Sequence, residues 1–193
     1  LLTKNPWQIV VSTDHPNAGP FTRYPRVVKW LVSKKAREET IAKCHESLPN
    51  RSSIASIDRE YTLYEIAVVT RASAAKALGI SKFKGHLGVG ADADIAIYDL
   101  NPEEVDFSRD YLKVQQAFSR ALYTIKGGEI VVKEGEVVKE VFGETIAVRF
   151  RERPDPEVLE DMEARFREYY TISFSNYVIR DEEIKKLKYT TCG

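Results

Sequence analysis

The chain has 193 residues, 43% of them hydrophobic and 30% charged. That is enough for one core or two small ones, and it excludes the compositional bias of disordered or fibrous chains. Lys plus Arg and Asp plus Glu both number 29, so a net charge of zero offers no electrostatic ground for a nucleic-acid partner.

No apolar run approaches the roughly 20 residues that span a bilayer, so no membrane partner is expected. The opening "LLTKNPW" lacks the basic start and long apolar centre of a signal peptide. Cys44 and Cys192 stand far apart without CxxC spacing. A reducing, cytoplasmic setting fits them better than a disulfide scaffold or a zinc ribbon. The start at Leu1, without Met, leads almost at once into an apolar run, which suggests a piece of a longer polypeptide.

In chain order, residues 8–13, "QIVVST", form an apolar, β-branched run, the pattern of a strand buried on both faces. Pro16, Asn17, Gly19 and Pro20 break regular structure after it. Pro25 can open a helix with Val27, Val28 and Leu31 on its apolar side. The spacing Ala36, Thr40, Ile41, Cys44, Leu48 predicts helix from Ser33 until Pro49 and Asn50 close it. Thr62 and Glu65 form a capping box, in which hydroxyl and carboxylate satisfy free backbone donors. Leu63, Ile66, Ala67, Thr70, Ala74, Ala77 and Leu78 then share a stripe, and Gly79 suits a left-handed cap.

After Gly79 the pattern becomes that of short strands. One is predicted at residues 95–98, following turns at Gly85, Gly88 and Gly90. Two or three more lie in "ALYTIKGGEIVVKEGEVV", joined at Gly127-Gly128 and Glu134-Gly135, and another at residues 145–150. Such spacing suggests a small antiparallel sheet or half a sandwich. Asp155 and Pro156 cap a helix with Val158, Leu159, Met162, Phe166 and Tyr169 on one face. A strand at residues 171–174 and a solvated lysine-rich tail containing "KKLK", residues 185–188, are expected to follow.

Asp14 is the first candidate for chemistry, because it stands where the apolar run ends. In parallel α/β architectures that position faces the active-site mouth, where a carboxylate ligates a metal or moves a proton. The alternative is a local turn cap, with the carboxylate accepting from the Asn17 amide. His15 is a candidate ligand or a solvated turn residue. Arg23 and Arg26 can hold a carboxylate or form surface ion pairs. His45 and His86 have no partner at metal-site spacing, and "GHLGVG" lacks the context of a phosphate loop.

Two stretches together resemble the amidohydrolase superfamily. "TRASAAKALGISKFKGHLGVGADADIAIYDLNP" and "YTIKGGEIVVKEGEVV" are similar to the helix end and the hairpin of the small β-sandwich that closes that family's barrel. "STDHPNAGPFTRYPRVVKWLVSKKAREET" and "SIDREYTLYEIAVVTRASAAKALG" resemble the amidohydrolase subunit of formylmethanofuran dehydrogenases, least securely beyond about Arg151. The resemblance implies a mixed α/β fold. It comprises the last strand and helices of a (β/α)8 barrel in residues 1–80, a composite antiparallel β-sandwich in 81–150, and a helix-and-strand extension in 151–193.

It further implies a parent subunit that condenses formate with methanofuran, or hydrolyses the formamide, beside other subunits of an archaeal one-carbon complex. A binuclear zinc centre would serve it. Asp14 matches the family's metal ligand and proton shuttle, and His15, Asn17 and Arg23 are placed as substrate-binding candidates. The family's His-x-His and further ligands have no match among the chain's three histidines. The chain alone is therefore expected to be inactive and without bound zinc. Other readings are a piece of a dihydropyrimidinase-like amidohydrolase, or a non-catalytic docking module. A single barrel strand with open edges is expected to repack, lose order or self-associate with another copy.

Overall fold

The computed structural model describes residues 1–152, 155–177 and 187–192. The chain divides into two units, Leu1–Val141 and Phe142–Gly193.

The run at residues 8–13 does not form the expected strand. A short 3-10 helix, Pro6–Gln8, opens it, and the following residues are extended without a ladder among the described residues. A strand needs a neighbour to satisfy its backbone. Here two of the backbone groups turn to a helix instead. The Val11 amide donates to the Val69 carbonyl at 2.9 Å, and the Ser73 hydroxyl donates to the Ile9 carbonyl. Leu1, Ile9 and Val11 pack on the hydrophobic core of the unit.

That core is built largely by helices. Pro25 sits in the first turn of α1, Tyr24–Val32, which buries Val28 and Val32. Ser33 ends α1 and caps α2, Lys34–Ile41, accepting from the Ala36 amide at 3.1 Å. Buried Arg37 on α2 donates to the carbonyls of Trp30, Ile57 and Arg59, tying α1 to the segment that precedes the capping box. The helix predicted through residue 48 stops at Ile41. Pro49 does not close it but lies in the first turn of a separate α3, Leu48–Arg51. Proline lacks an N–H that the first turn does not need, whereas a helix interior would need it.

The capping box forms as expected. The Glu65 amide donates to the Thr62 hydroxyl at 3.2 Å, and the Thr62 amide to the Glu65 carboxylate at 2.9 Å. It opens α4, Leu63–Ala67, which continues through a π-helical turn, Val68–Ala72, into α5, Ser73–Ala77. Gly79 follows in the left-handed conformation, φ 71°. Ile66 and Val69 from this rod meet Val28, Val32, Tyr61 and Val114 in the core.

The antiparallel part is one meander of β1 Ile95–Ile97, β2 Tyr123–Lys126, β3 Glu129–Lys133 and β4 Glu136–Val137. Both expected turns have two successive positive φ values, at Gly127-Gly128 and Glu134-Gly135, the geometry that suits the twist of a hairpin. No second sheet lies in this unit among its described residues. Gly85, φ 83°, lets the preceding loop approach α5; a Cβ there would lie 2.7 Å from that of Ala75. Between β1 and β2 runs α6, Tyr111–Ser119, an unexpected helix that buries Tyr111 and Val114.

In Phe142–Gly193, β5 Thr145–Phe150 pairs in parallel with β6 Leu187–Cys192, from Thr145 opposite Leu187 to Phe150 opposite Cys192. Asp155 caps α7, Pro156–Tyr169, by accepting from the Glu157 amide at 3.0 Å. The strand expected at 171–174 is absent. Asn176 accepts from the amide and hydroxyl of Ser173 and holds a turn that leads into a 3-10 helix, Phe174–Tyr177. Leu187 and Lys188 belong to β6 rather than a free tail, and Lys185 and Lys186 lie outside the described residues.

Candidate functional site

Asp14 ends the extended run in a left-handed backbone conformation, φ 48°. Asp tolerates this region better than most residues, yet such conformations persist only where surroundings enforce them. Its amide donates to the Ser12 hydroxyl at 3.2 Å, and its carbonyl accepts from the Ala18 amide at 3.1 Å. The turn is thus closed through the Asp14 backbone. The carboxylate is exposed and makes no hydrogen bond or ion pair among the described residues, so the cap onto Asn17 is not formed.

The other sequence candidates share the loop that follows. His15 meets Phe21 edge-on, with ring centroids 5.2 Å apart. Asn17 and Arg23 are exposed, and Arg26 lies over the Trp30 ring at 4.9 Å. The loop groups Asp14, His15, Asn17 and Arg23 by chain proximity, without mutual hydrogen bonds. His45 and His86 are engaged elsewhere in local turns, through Ser47 at 2.9 Å and the Gly88 amide at 3.0 Å. Among the described residues no three His, Cys, Asp or Glu side chains converge as a metal-binding group.

What holds the run that carries Asp14 is not evident from sequence. At its start, Arg59 donates to the carbonyls of Leu1, Thr3 and Lys4 while pairing with Glu65 at 2.6 Å. At its middle the π turn is the fastening point. The Ser73 amide reaches back five residues to the Val68 carbonyl, and the neighbouring Val69 carbonyl accepts from Val11. The Thr70 hydroxyl donates from the π turn back to the Ile66 carbonyl of α4 at 2.6 Å. π turns inside helices recur at functional sites, but no residue type at Val68–Ala72 announces one.

A cavity of about 300 Å³ adjoins the run, lined by Val11, Tyr24, Val28, Arg71, Tyr98 and Phe118. Arg71 donates to the Tyr98 hydroxyl at 3.1 Å across it. A wider groove of about 940 Å³ lies between the α4–α5 rod and the sheet, with Trp7, Val68, Leu78, Ile95 and Ile125 on its walls. At its polar margin Lys84 pairs with Asp92 at 2.8 Å and with Asp94, and Lys126 pairs with Asp94 at 2.9 Å. Burial works against charge on Asp94. Hydrogen bonds from Lys84, Lys126 and the Gly127 amide outweigh it and hold the carboxyl well below the usual carboxylate range.

The model of the amidohydrolase family matches residues 1–132. The chain belongs to the amidohydrolase family. Within it, the chain is 54% identical over 184 residues to Protein FwdA of Methanocaldococcus jannaschii, covering 94% of this chain and 32% of that protein. It is 38% identical over 169 residues to FhcA of the Fhc formyltransferase/hydrolase complex of Methylorubrum extorquens, covering 88% of this chain and 28% of that one. A chain of the M. extorquens FhcABCD crystal structure with methylofuran superposes at a TM-score of 0.72 and 31% identity, covering 100% of this chain and 34% of its own length.

The resemblance to the C-terminal part of the formylmethanofuran dehydrogenase amidohydrolase subunit is borne out, as is a mixed α/β fold with an antiparallel sheet. The chain spans about a third of the length of the curated relatives it matches. Among the described residues no helix is long and apolar enough to cross a membrane.

Proposed function

We propose that the chain is the C-terminal portion of a subunit that makes and breaks a formamide, joining formate to the primary amine of methanofuran or hydrolysing the product. Its similarity to FwdA and FhcA favours this over a dihydropyrimidinase-like activity. The observation that carries the site is the Asp14 carboxylate, exposed and unpaired among the described residues, at the end of an anchored run. In this reading residues 9–13 become the last strand of a (β/α)8 barrel once neighbouring barrel strands are present, and the meander contributes to a composite sandwich.

A binuclear zinc centre does not fit the residues present. Asp14 offers one carboxylate, no second and third ligand converge with it among the described residues, and such centres need several donors held in geometry. What this chain supplies is a proton site: as the C–N bond forms, an Asp14 oxygen takes a proton from the amine and passes it to the formic acid hydroxyl that leaves as water, and in hydrolysis it takes a proton from the attacking water and passes it to the departing amine. His15, Asn17 and Arg23 lie on the loop that follows Asp14 and are the groups proposed to bind substrate, Arg23 through the carboxylate of formate.

In the full-length subunit within its complex, Asp14→Asn is expected to lower formamide hydrolysis about 10²–10⁴-fold with assembly intact. Activity within a few-fold of wild type would overturn the role of Asp14. The 193-residue chain alone is expected to show neither deformylase activity nor stoichiometric zinc binding, and either one would contradict its being an incomplete site.

A further inference from the structure

The π turn in the α4–α5 rod has a consequence for the run that carries Asp14. In a regular α-helix the Ser73 amide would donate to the Val69 carbonyl, four residues back. Here it donates to the Val68 carbonyl, five residues back, and the Val69 carbonyl accepts from the Val11 amide at 2.9 Å. The wider turn thus turns a backbone acceptor from the helix to the run.

A side chain makes the second fastening. Ser73 is 2% exposed, and its hydroxyl donates to the Ile9 carbonyl. Ile9 has extended backbone, φ −126° and ψ 138°. Residues two apart on an extended chain face the same way, so the bonds of Ile9 and Val11 lie on one edge. Together they fix the run along its length, because a slip of one residue would exchange its two faces. Beyond Val11, Ser12 and Thr13 lead directly to Asp14. There the chain is fixed again, through the Ser12 hydroxyl and the Ala18 amide. A displacement at Ile9 and Val11 is therefore passed on to the carboxylate.

The backbone groups of Val10 and Ser12, on the opposite edge, make no hydrogen bond among the described residues and are left for a neighbouring strand. The run and the rod both lie within residues 1–132, the part matched by the amidohydrolase family, so this hold needs no group from outside it.

We propose that Ser73 is a positioning residue for Asp14. Its hydroxyl, together with the Val69 carbonyl that the π turn presents, sets the register of the run and so the place of the carboxylate. The inference rests on the proposed proton-transfer role of Asp14. Alanine at this position would keep the helix and the Val69 bond, and would remove only the hydroxyl donor.

The test uses the full-length subunit in its purified complex, with Ser73→Ala, Asp14→Asn and the double variant. Ser73→Ala is expected to lower kcat for formamide hydrolysis about tenfold with KM changed less than about twofold, since misplacing a catalytic group by about 1 Å can cost about 10²-fold. The double variant should be no slower than Asp14→Asn alone, because no proton site is then left to misplace. Equal rate losses from Ser73→Ala in the presence and absence of the Asp14 carboxylate would overturn the proposal and make Ser73 merely structural. So would loss of assembly in Ser73→Ala. An unchanged kcat in that variant would overturn it too, as expected if a barrel strand takes the edge of Ile9 and Val11 in the complex. A wild-type rate in Asp14→Asn would instead remove the functional reading itself.

Discussion

Leu1–Val141 and Phe142–Gly193 bury their apolar residues very differently. In the first, Ile66, Val69 and Val114 are at most 1% exposed, and even a charged group, Arg37, is buried with its two terminal nitrogens donating to three carbonyls. In the second, the apolar stripe of α7 has no buried member, and the strand pair β5–β6 has just two strands among the described residues. Both α1 and α7 are amphipathic; what differs is whether their apolar faces are buried among the described residues. The first unit thus has a core buried among its own residues. The second has a face of the kind that is buried by association.

The contrast predicts a steep gradient in the effect of truncation. Ile66→Ala should cost about 2–5 kcal/mol by thermal or urea unfolding, because a close-packed site cannot collapse around the lost atoms. A cost below about 1 kcal/mol would mean that the core of the first unit is loose.

Asp94→Asn should have a smaller effect with a distinctive pH signature. The carboxyl is held below its ordinary value of 3.8 in the folded chain. Its contribution is therefore present above that value and is lost as pH falls through it toward the lower folded value. At pH 7 the variant should lose about 1 kcal/mol, screened because the pair is partly exposed, or roughly 2–4 °C in Tm. Below about pH 4 the two proteins should converge, and a constant difference down to about pH 2 would contradict the ion-pair explanation. Val158→Ala, by contrast, should change the stability of the isolated chain by less than about 0.5 kcal/mol.

Legibility in the sequence follows the same division between local and non-local causes. The capping box, Gly79 and the hairpin turns at Gly127-Gly128 and Glu134-Gly135 are local devices, and each stands where the pattern places it. The run at 8–13 misleads because β-branched composition shows burial but not the presence of a pairing strand. The helix expected through residue 48 ends early because Pro49 can begin a helix as well as end one. The α6 helix carries a faint signal in Tyr111, Val114 and Phe118, at helical spacing but without a side-chain cap.

At the site, Asp14 is visible as an acid at the end of an apolar run. Its fastening is not, because Arg59 and the π turn act across dozens of residues through backbone carbonyls. Any side chain leaves such carbonyls available, so residue identity does not report them.

Hydrogen exchange on the 193-residue chain, alone and within the full complex, tests the division between the units most directly. The amides of α1 and of the α4–α5 rod should be strongly protected in both states. Those of α7 should exchange rapidly in the isolated chain and become at least tenfold slower in the complex. Equal protection of α7 in the isolated chain and in the complex would contradict the central claim, because the second unit would then already have a cover of its own.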